Sequence, residues 1–149
     1  MSTATVVETE LAPVSSRLEG GLRVLVVDDD ADLRRAIREV FLMRGFAVNT
    51  AENGAEAVKM ARREHYDIVV TDLRMPEMDG IEVTRRLKSL RRPPRVVLIT
   101  AYPEWNSYDE ARKAGAERLI GKPLSLGRLI SLIEELAASK GVVEMQYGD

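Results

Sequence analysis

Three aspartates, a hydroxyl and an ammonium carry the chemistry this sequence can do. Asp28 and Asp29 close one apolar run, Leu22 to Val27, and Asp72 closes another that contains Ile68, Val69 and Val70. Thr100 follows Val96 to Ile99, and Lys122 follows a short run at Arg118 to Ile120. Short apolar runs rich in β-branched residues read as strands buried on both faces, the habit of a parallel sheet. The carboxyl ends of such strands lie along one edge, so these five side chains are expected to converge there. Carboxylates within a few ångströms of each other repel, so either their pKa values rise or a cation sits among them. Oxygen ligands with room for water suit Mg2+. A hard cation, an ammonium and a hydroxyl could each hold one oxygen of an incoming phosphoryl group. That would leave Asp72 as the nucleophile and an aspartyl phosphate as the product.

Helical patterns alternate with these runs. The first carries Leu33, Ile37, Val40 and Phe41 on one face, with Asp30 placed to cap it and Arg44-Gly45 to end it. Phe46 to Ala51 reads as a strand, and Asn53-Gly54-Ala55-Glu56 opens a helix whose apolar stripe is Ala57, Val58 and Ala61. Asp79-Gly80-Ile81-Glu82 starts a third, with Ile81, Val83, Leu87 and Leu90 among its apolar residues, and Pro93-Pro94 is a hard stop. A weakly apolar and therefore mobile helix is expected within Glu104 to Ala114, closed by Gly115. Ser125 should cap a last one bearing Leu126, Leu129, Ile130, Ile133 and Leu136. Five strand and helix pairs call for an α/β fold, a doubly wound parallel sheet with helices on both faces joined by right-handed crossovers.

Composition narrows the function classes. A chain of 149 residues, 45% hydrophobic and 31% charged, fits one domain with a sizeable core. There is no cysteine and one histidine, His65, so thiolate and imidazole metal sites are excluded and any metal must be held by oxygen. His65 reads as a solvated loop residue. The net charge of −2 gives no global field for nucleic acid or membrane, and no apolar run approaches the roughly 18 residues that span a bilayer. The cations Arg85, Arg86, Lys88, Arg91, Arg92 and Arg95 read mostly as a solvated helix face, with nucleic-acid binding a minor alternative and a protein partner left open. Residues 1–21 are expected to be a flexible arm without a secretory pattern, 22–140 the domain, and 141–149 a tail with no output domain after it; the expected compartment is the cytoplasm.

From about Leu22 to Lys140 the chain resembles a response-regulator receiver domain of two-component signalling, of the single-domain, chemotaxis-regulator-like kind. The resemblance is carried by Val24-Leu25-Val26-Val27-Asp28-Asp29-Asp30, by Thr71-Asp72-Leu73-Arg74-Met75-Pro76-Glu77-Met78-Asp79-Gly80, by Thr100-Ala101 and by Lys122-Pro123, in the family's order. It implies a flavodoxin-like five-stranded sheet in the order 2-1-3-4-5. It also implies that Asp72 accepts phosphate from a phosphohistidine on a histidine kinase or phosphotransfer protein, catalysing only its own phosphorylation and slow dephosphorylation. Asp29, Asp72 and the backbone carbonyl of Arg74 would bind Mg2+, Asp28 acting mainly through water. Thr100 would reorient toward the phosphate, Lys122 would pair with it, and the Lys122-Pro123 bond is commonly cis. The surface around residues 101–120 would then signal to a downstream protein that the sequence does not name, with no membrane partner and no nucleic acid expected without an output domain. Two departures stand out: Leu119 occupies a switch position that is usually aromatic, and Arg118 replaces an acid. Arg74 and Tyr102, each two residues beyond a site residue, are large enough to obstruct an in-line water.

Competing readings are weaker. Asp28, Asp30, Asp32 and Glu39 have the spacing of a calcium loop, but Leu33 fills the position that needs glycine. Gly115 to Lys122 departs from a phosphate loop in spacing and in Pro123. A phosphohydrolase with its nucleophile on the first strand, using Asp28 and Asp30, and a receiver-like binding module that is never phosphorylated remain as alternatives.

Overall fold

In the computed structural model, residues 21–101, 104, 106–122, 125–138 and 146–147 are described. The arm at 1–20, Tyr102, Trp105, Pro123 and the remainder of the tail, on which several sequence expectations fall, lie outside the described residues.

The strands are β1 (Arg23–Val27), β2 (Ala47–Ala51), β3 (Ile68–Asp72), β4 (Arg95–Thr100) and β5 (Arg118–Gly121). Between them run α1 (Ala31–Met43), α2 (Gly54–Arg63), α3 (Gly80–Lys88) and α4 (Ser107–Ala114), and α5 (Leu126–Ala138) follows β5. The strands pair in parallel in the order β2-β1-β3-β4-β5, as the resemblance implies. A sixth, β6 (Gln146–Tyr147), adds in parallel to β5 within what the sequence reads as a tail. Two residues are too short for any periodicity to announce them.

Alternation along the strands sorts the core into two layers. Leu25, Val27, Val69, Val96, Leu98 and Leu119 pack with α2, α3 and α4. Val24, Val26, Ile68, Val70, Val97, Ile99 and Ile120 pack with α1 and α5. β3 is buried along its whole length, which explains its lack of any polar alternation. β2, an edge strand, alternates instead. No helix among the described residues is long and apolar enough to cross a membrane.

The helix ends follow local chemistry. Asp30 accepts from the amides of Asp32 and Leu33, Asn53 from Glu56, and Asp79 from Glu82, each filling a donor the first turn leaves open. α3 stops earlier than its apolar spacing suggests: Ser89 caps it, and Leu90, Arg91 and Arg92 lie in the turn beyond. α4 is short and mostly charged, yet Ser107, Ala111 and Ala114 are buried, and the Ser107 hydroxyl accepts from the Glu104 amide at 2.8 Å.

Gly80 is where the fold reaches into the site. A Cβ there would lie 2.6 Å from the Asp72 carbonyl oxygen, 2.8 Å from Leu98 Cδ2 and 2.9 Å from Leu73 Cα, so the start of α3 rests directly on the strand that carries Asp72. Backbone atoms on two sides do not yield cheaply, and we expect Gly80→Ala to cost about 1–3 kcal/mol or more. A Cβ at Gly127 in α5 meets nothing within 4 Å, so Gly127→Ala should instead stabilise by up to about 1 kcal/mol. Thermal denaturation of the two variants checks this; equal melting temperatures would mean that α3 does not bear on β3 in this way.

Candidate functional site

Strand register brings the candidate residues together. Val27 lies opposite Thr71, Asp72 opposite Ile99, and Thr100 opposite Gly121, so the ends of β1, β3, β4 and β5 advance in step toward one edge. Asp28, Asp29 and Asp72 each present a carboxylate oxygen there, all within 4.8 Å of one another. Lys122 Nζ stands 3.7 Å from Asp72 Oδ1, an ion pair rather than a tight hydrogen bond. Asp30, the third acid of the run, is spent on capping α1 and stays outside the cluster.

The two-residue alternation also divides the site. Asp28 continues the face of Val24 and Val26, Asp72 that of Ile68 and Val70, and Lys122 that of Ile120, all on the side of α1 and α5. Thr100 continues the face of Leu98, on the side of α2, α3 and α4. Leu119 is fully buried on that same side and pairs with Leu98, while Thr100 pairs with Gly121, so Thr100 and Leu119 are diagonal neighbours across β4 and β5.

The electrostatics follow from crowding and burial. Asp72 is 8% exposed, and burial, reinforced by the Asp28 charge, pushes its pKa up to about 6 against the pull of Lys122. Burial raises Asp28 as well, opposed by the Asp30 amide, which donates to Asp28 Oδ1 at 2.8 Å, and by Lys122. Such a cluster fits a divalent cation: three hard oxygen donors, two of them made reluctant to ionise, with exposed Asp29 leaving a path from solvent.

Bracing residues that the sequence does not reveal as such surround the cluster. Arg34 Nη1 donates to the Asp28 carbonyl at 2.6 Å, tying the loop after β1 to α1. The Thr84 hydroxyl donates to the Gly80 carbonyl at 2.7 Å, and the Gly80 amide to the Leu73 carbonyl at 2.8 Å. In the loop after β3, Glu77 has φ of 70° and the Met78 amide donates to the Pro76 carbonyl at 2.8 Å, a tight and strained γ-turn. The Arg74 guanidinium pairs with Glu104 at 2.9 Å, linking the loops after β3 and β4. Both partners are more than half exposed, so the link is worth about 1 kcal/mol at most and can open.

Comparison with known proteins fits this geometry. The model of the family described as the response regulator receiver domain matches residues 24–134. Chemotaxis protein CheY of Bacillus subtilis is 35% identical over 114 residues, covering 76% of this chain and 95% of that one. Sporulation initiation phosphotransferase F of the same organism is 32% identical over 113 residues, covering 76% and 91%. Regulatory protein AtoC of Escherichia coli is 37% identical over 112 residues, so the chain is similar to 24% of AtoC's length. Among solved structures, FixJ-N superimposes with a TM-score of 0.72 at 31% identity, covering 82% of this chain and 98% of that one. The receiver domain of the Francisella response regulator 1452 gives 0.74 at 29%, covering 79% and 98%.

The raised pKa of Asp72 fixes a sign. A carboxyl whose folded pKa is about 6 against an ordinary 3.8 holds its proton more tightly when folded. Its contribution to stability is therefore full below about pH 4 and lost as the pH rises through 6. In divalent-free buffer, Asp72→Asn should gain on the parent as pH rises from 4 to 7, by roughly 2 kcal/mol after allowing for screening. Mg2+ should narrow that gap. Thermal melts of both proteins across this range check it, and a gap that stays constant with pH would show that Asp72 is not crowded as described.

Proposed function

The chain belongs to the response regulator receiver domain family of two-component signalling, and from that premise we propose that Asp72 is its phosphoacceptor in a histidine-to-aspartate phosphorelay. The observation that carries this reading is the convergence of three carboxylates and Lys122 on one sheet edge, with Asp72 charged at neutral pH yet poorly solvated. The donor is a phosphohistidine on a histidine kinase or phosphotransfer protein. An Asp72 carboxylate oxygen attacks phosphorus, the bond from phosphorus to imidazole nitrogen breaks, and its electron pair returns to the ring.

Asp29, Asp72 and the backbone carbonyl of Arg74, with Asp28 mainly through water, would hold Mg2+, whose charge would offset the negative charge brought together by the carboxylates and the phosphoryl oxygens. Lys122, 3.7 Å from Asp72 before any phosphate arrives, closes on a phosphoryl oxygen. Thr100 donates its hydroxyl to another. Arg74, released from Glu104, restricts the approach of water and slows hydrolysis. The domain works in the cytoplasm as a switch for a downstream protein and turns over only its own phosphate. A first-strand phosphohydrolase would need Asp30 as its acid, and that side chain is committed to the α1 amides.

Acetyl phosphate with Mg2+ should add one phosphoryl group by intact mass. Chelation, or Asp72→Asn, should abolish it; a stoichiometric modification that survives Asp72→Asn sinks the assignment.

The switch is expected to run from Thr100 to its diagonal neighbour Leu119 and on to α4, which shares their core layer through Ala111 and Ala114. Leu119 has no ring to swing, so its own displacement should be small. Beryllofluoride should change the emission of Trp105, the only tryptophan. Thr100→Ala and Leu119→Tyr should alter that change, and the near-isosteric Leu119→Ile should not. Identical responses in all four proteins would place the output elsewhere.

A further inference from the structure

At the opposite edge of the sheet, the end of α2 and the turn after α3 enclose a cleft of about 290 Å³ lined by Arg62, Arg63, Arg91 and Arg92. These four differ from most arginines of the domain. Arg23 reaches Glu64, Arg44 reaches Glu134, Arg85 and Arg86 share Glu82, and Arg112 reaches Asp109. Among the described residues no carboxylate pairs with any of the cleft four. Glu64, the one acid in the lining, is drawn away to Arg23, and Asp67, 3.9 Å from His65, accepts the Arg23 amide at 2.8 Å.

Favourable interaction with a helix C-terminus accounts for Arg62 and Arg63 in the last turn of α2. It does not account for Arg91 and Arg92, which lie past the end of α3 between its Ser89 cap and Pro93-Pro94. His65 and Arg92 both line the cleft, so the two segments face each other across it, and burial followed by the Arg92 charge lowers the His65 pKa. All four line the cleft from exposed positions, and among the described residues none is paired with a carboxylate, so a bound anion would meet positive charge that only Glu64, itself paired with Arg23, could offset there.

We propose that this cleft is a second ligand site, which binds a small molecule carrying two or more phosphate groups. Guanidinium forks match phosphate oxygens in pairs, which suits arginine better than lysine to this task. Ala61 and Leu90 supply an apolar wall for a non-phosphate portion such as a nucleoside. The volume lies at the lower end of the roughly 300–1,000 Å³ range of ligand pockets, so the occupant is compact. Nucleic acid is disfavoured because the cationic run that looks continuous in sequence is broken in space. Arg85 and Arg86 are paired with Glu82, Lys88 is held by Glu117 and the Pro94 carbonyl, and Arg95 donates to the Leu136 carbonyl. The site lies at the amino ends of β3 and β4, away from Asp72, and does not depend on the phosphoacceptor reading.

Titration of the full chain with pyrophosphate and with ADP, in divalent-free buffer at about 0.15 M salt, tests it. His65 is the only histidine, so its ring proton gives a single NMR reporter inside the cleft. Expected are saturable one-to-one binding, movement of the His65 signal, and about tenfold weaker binding in Arg62→Gln and in Arg92→Gln, the loss of one charged hydrogen bond. Arg38→Gln, at an exposed arginine of α1 with no ion pair among the described residues, should bind like the parent. Three results would overturn the proposal: an unmoved His65 signal with shifts confined to Asp72 and Lys122, equal weakening in Arg38→Gln, or tighter binding of an oligoglutamate peptide than of either phosphate compound, which would assign the cleft to an acidic protein segment.

Discussion

Three carboxylates forced together at the end of a buried sheet are the constraint from which the rest of this structure follows. Bringing Asp28 and Asp72 out of water and next to each other is unfavourable, as their raised pKa values record. Local partners offset this only in part: the Asp30 amide and the Lys122 charge oppose it, but Lys122 stands too far off for a tight hydrogen bond. The opposing free energy comes from apolar burial below: β1, β3 and β4 contribute fully buried Val, Leu and Ile side chains to both layers. Parallel pairing turns that burial into position, since register fixes the ends of the strands as firmly as their middles.

Bracing around the edge is mostly backbone chemistry. Gly80 lets α3 sit against the Asp72 carbonyl, Thr84 ties the first turn of α3 to itself, and Arg34 grips the Asp28 carbonyl from α1. The strained turn at Glu77 is the cost of returning the chain from β3 to α3 within this small space. These contacts leave the carboxylates of Asp28, Asp29 and Asp72 available to a ligand, whereas Asp30 and Asp79 are consumed as caps.

Most of this was legible in the sequence because burial on both faces leaves an unbroken apolar run, and an acid at the end of such a run has few structural alternatives. The runs before Asp28, Asp72 and Thr100 announced three strands, and the caps at Asp30, Asn53 and Asp79 announced three helix starts. What stayed hidden had no periodic or compositional trace. β6 is two residues long, and α3 ends at Lys88 although Leu90 continues its apolar spacing and packs against the core from the turn. Gly80 reads as half of an Asp-Gly turn, and only the structure places it against the Asp72 backbone. The cationic stretch from Arg85 to Arg95 misled in the opposite direction: in sequence it is one feature, and in space it is a salt-bridged helix face, a half-buried lysine and half of a cleft.

The division of the site between two faces bears on how a signal could leave it. Asp28, Asp72 and Lys122 belong to the layer of α1 and α5, while Thr100 and Leu119 belong to the layer of α2, α3 and α4. A group that draws Thr100 toward Asp72 therefore pulls a side chain across the sheet edge, from one layer toward the other. The vacated volume lies over Leu119, which is fully enclosed and has no polar end to follow the hydroxyl. Close-packed interiors do not tolerate such a void, so neighbours must move in. β4 and β5 are held by ladder hydrogen bonds on both sides, whereas α4 is eight residues long and anchored through Ser107, Ala111 and Ala114. The element with the least to lose is the one that yields, which makes α4 the natural place for a phosphate at Asp72, were one added as proposed, to become a change of surface.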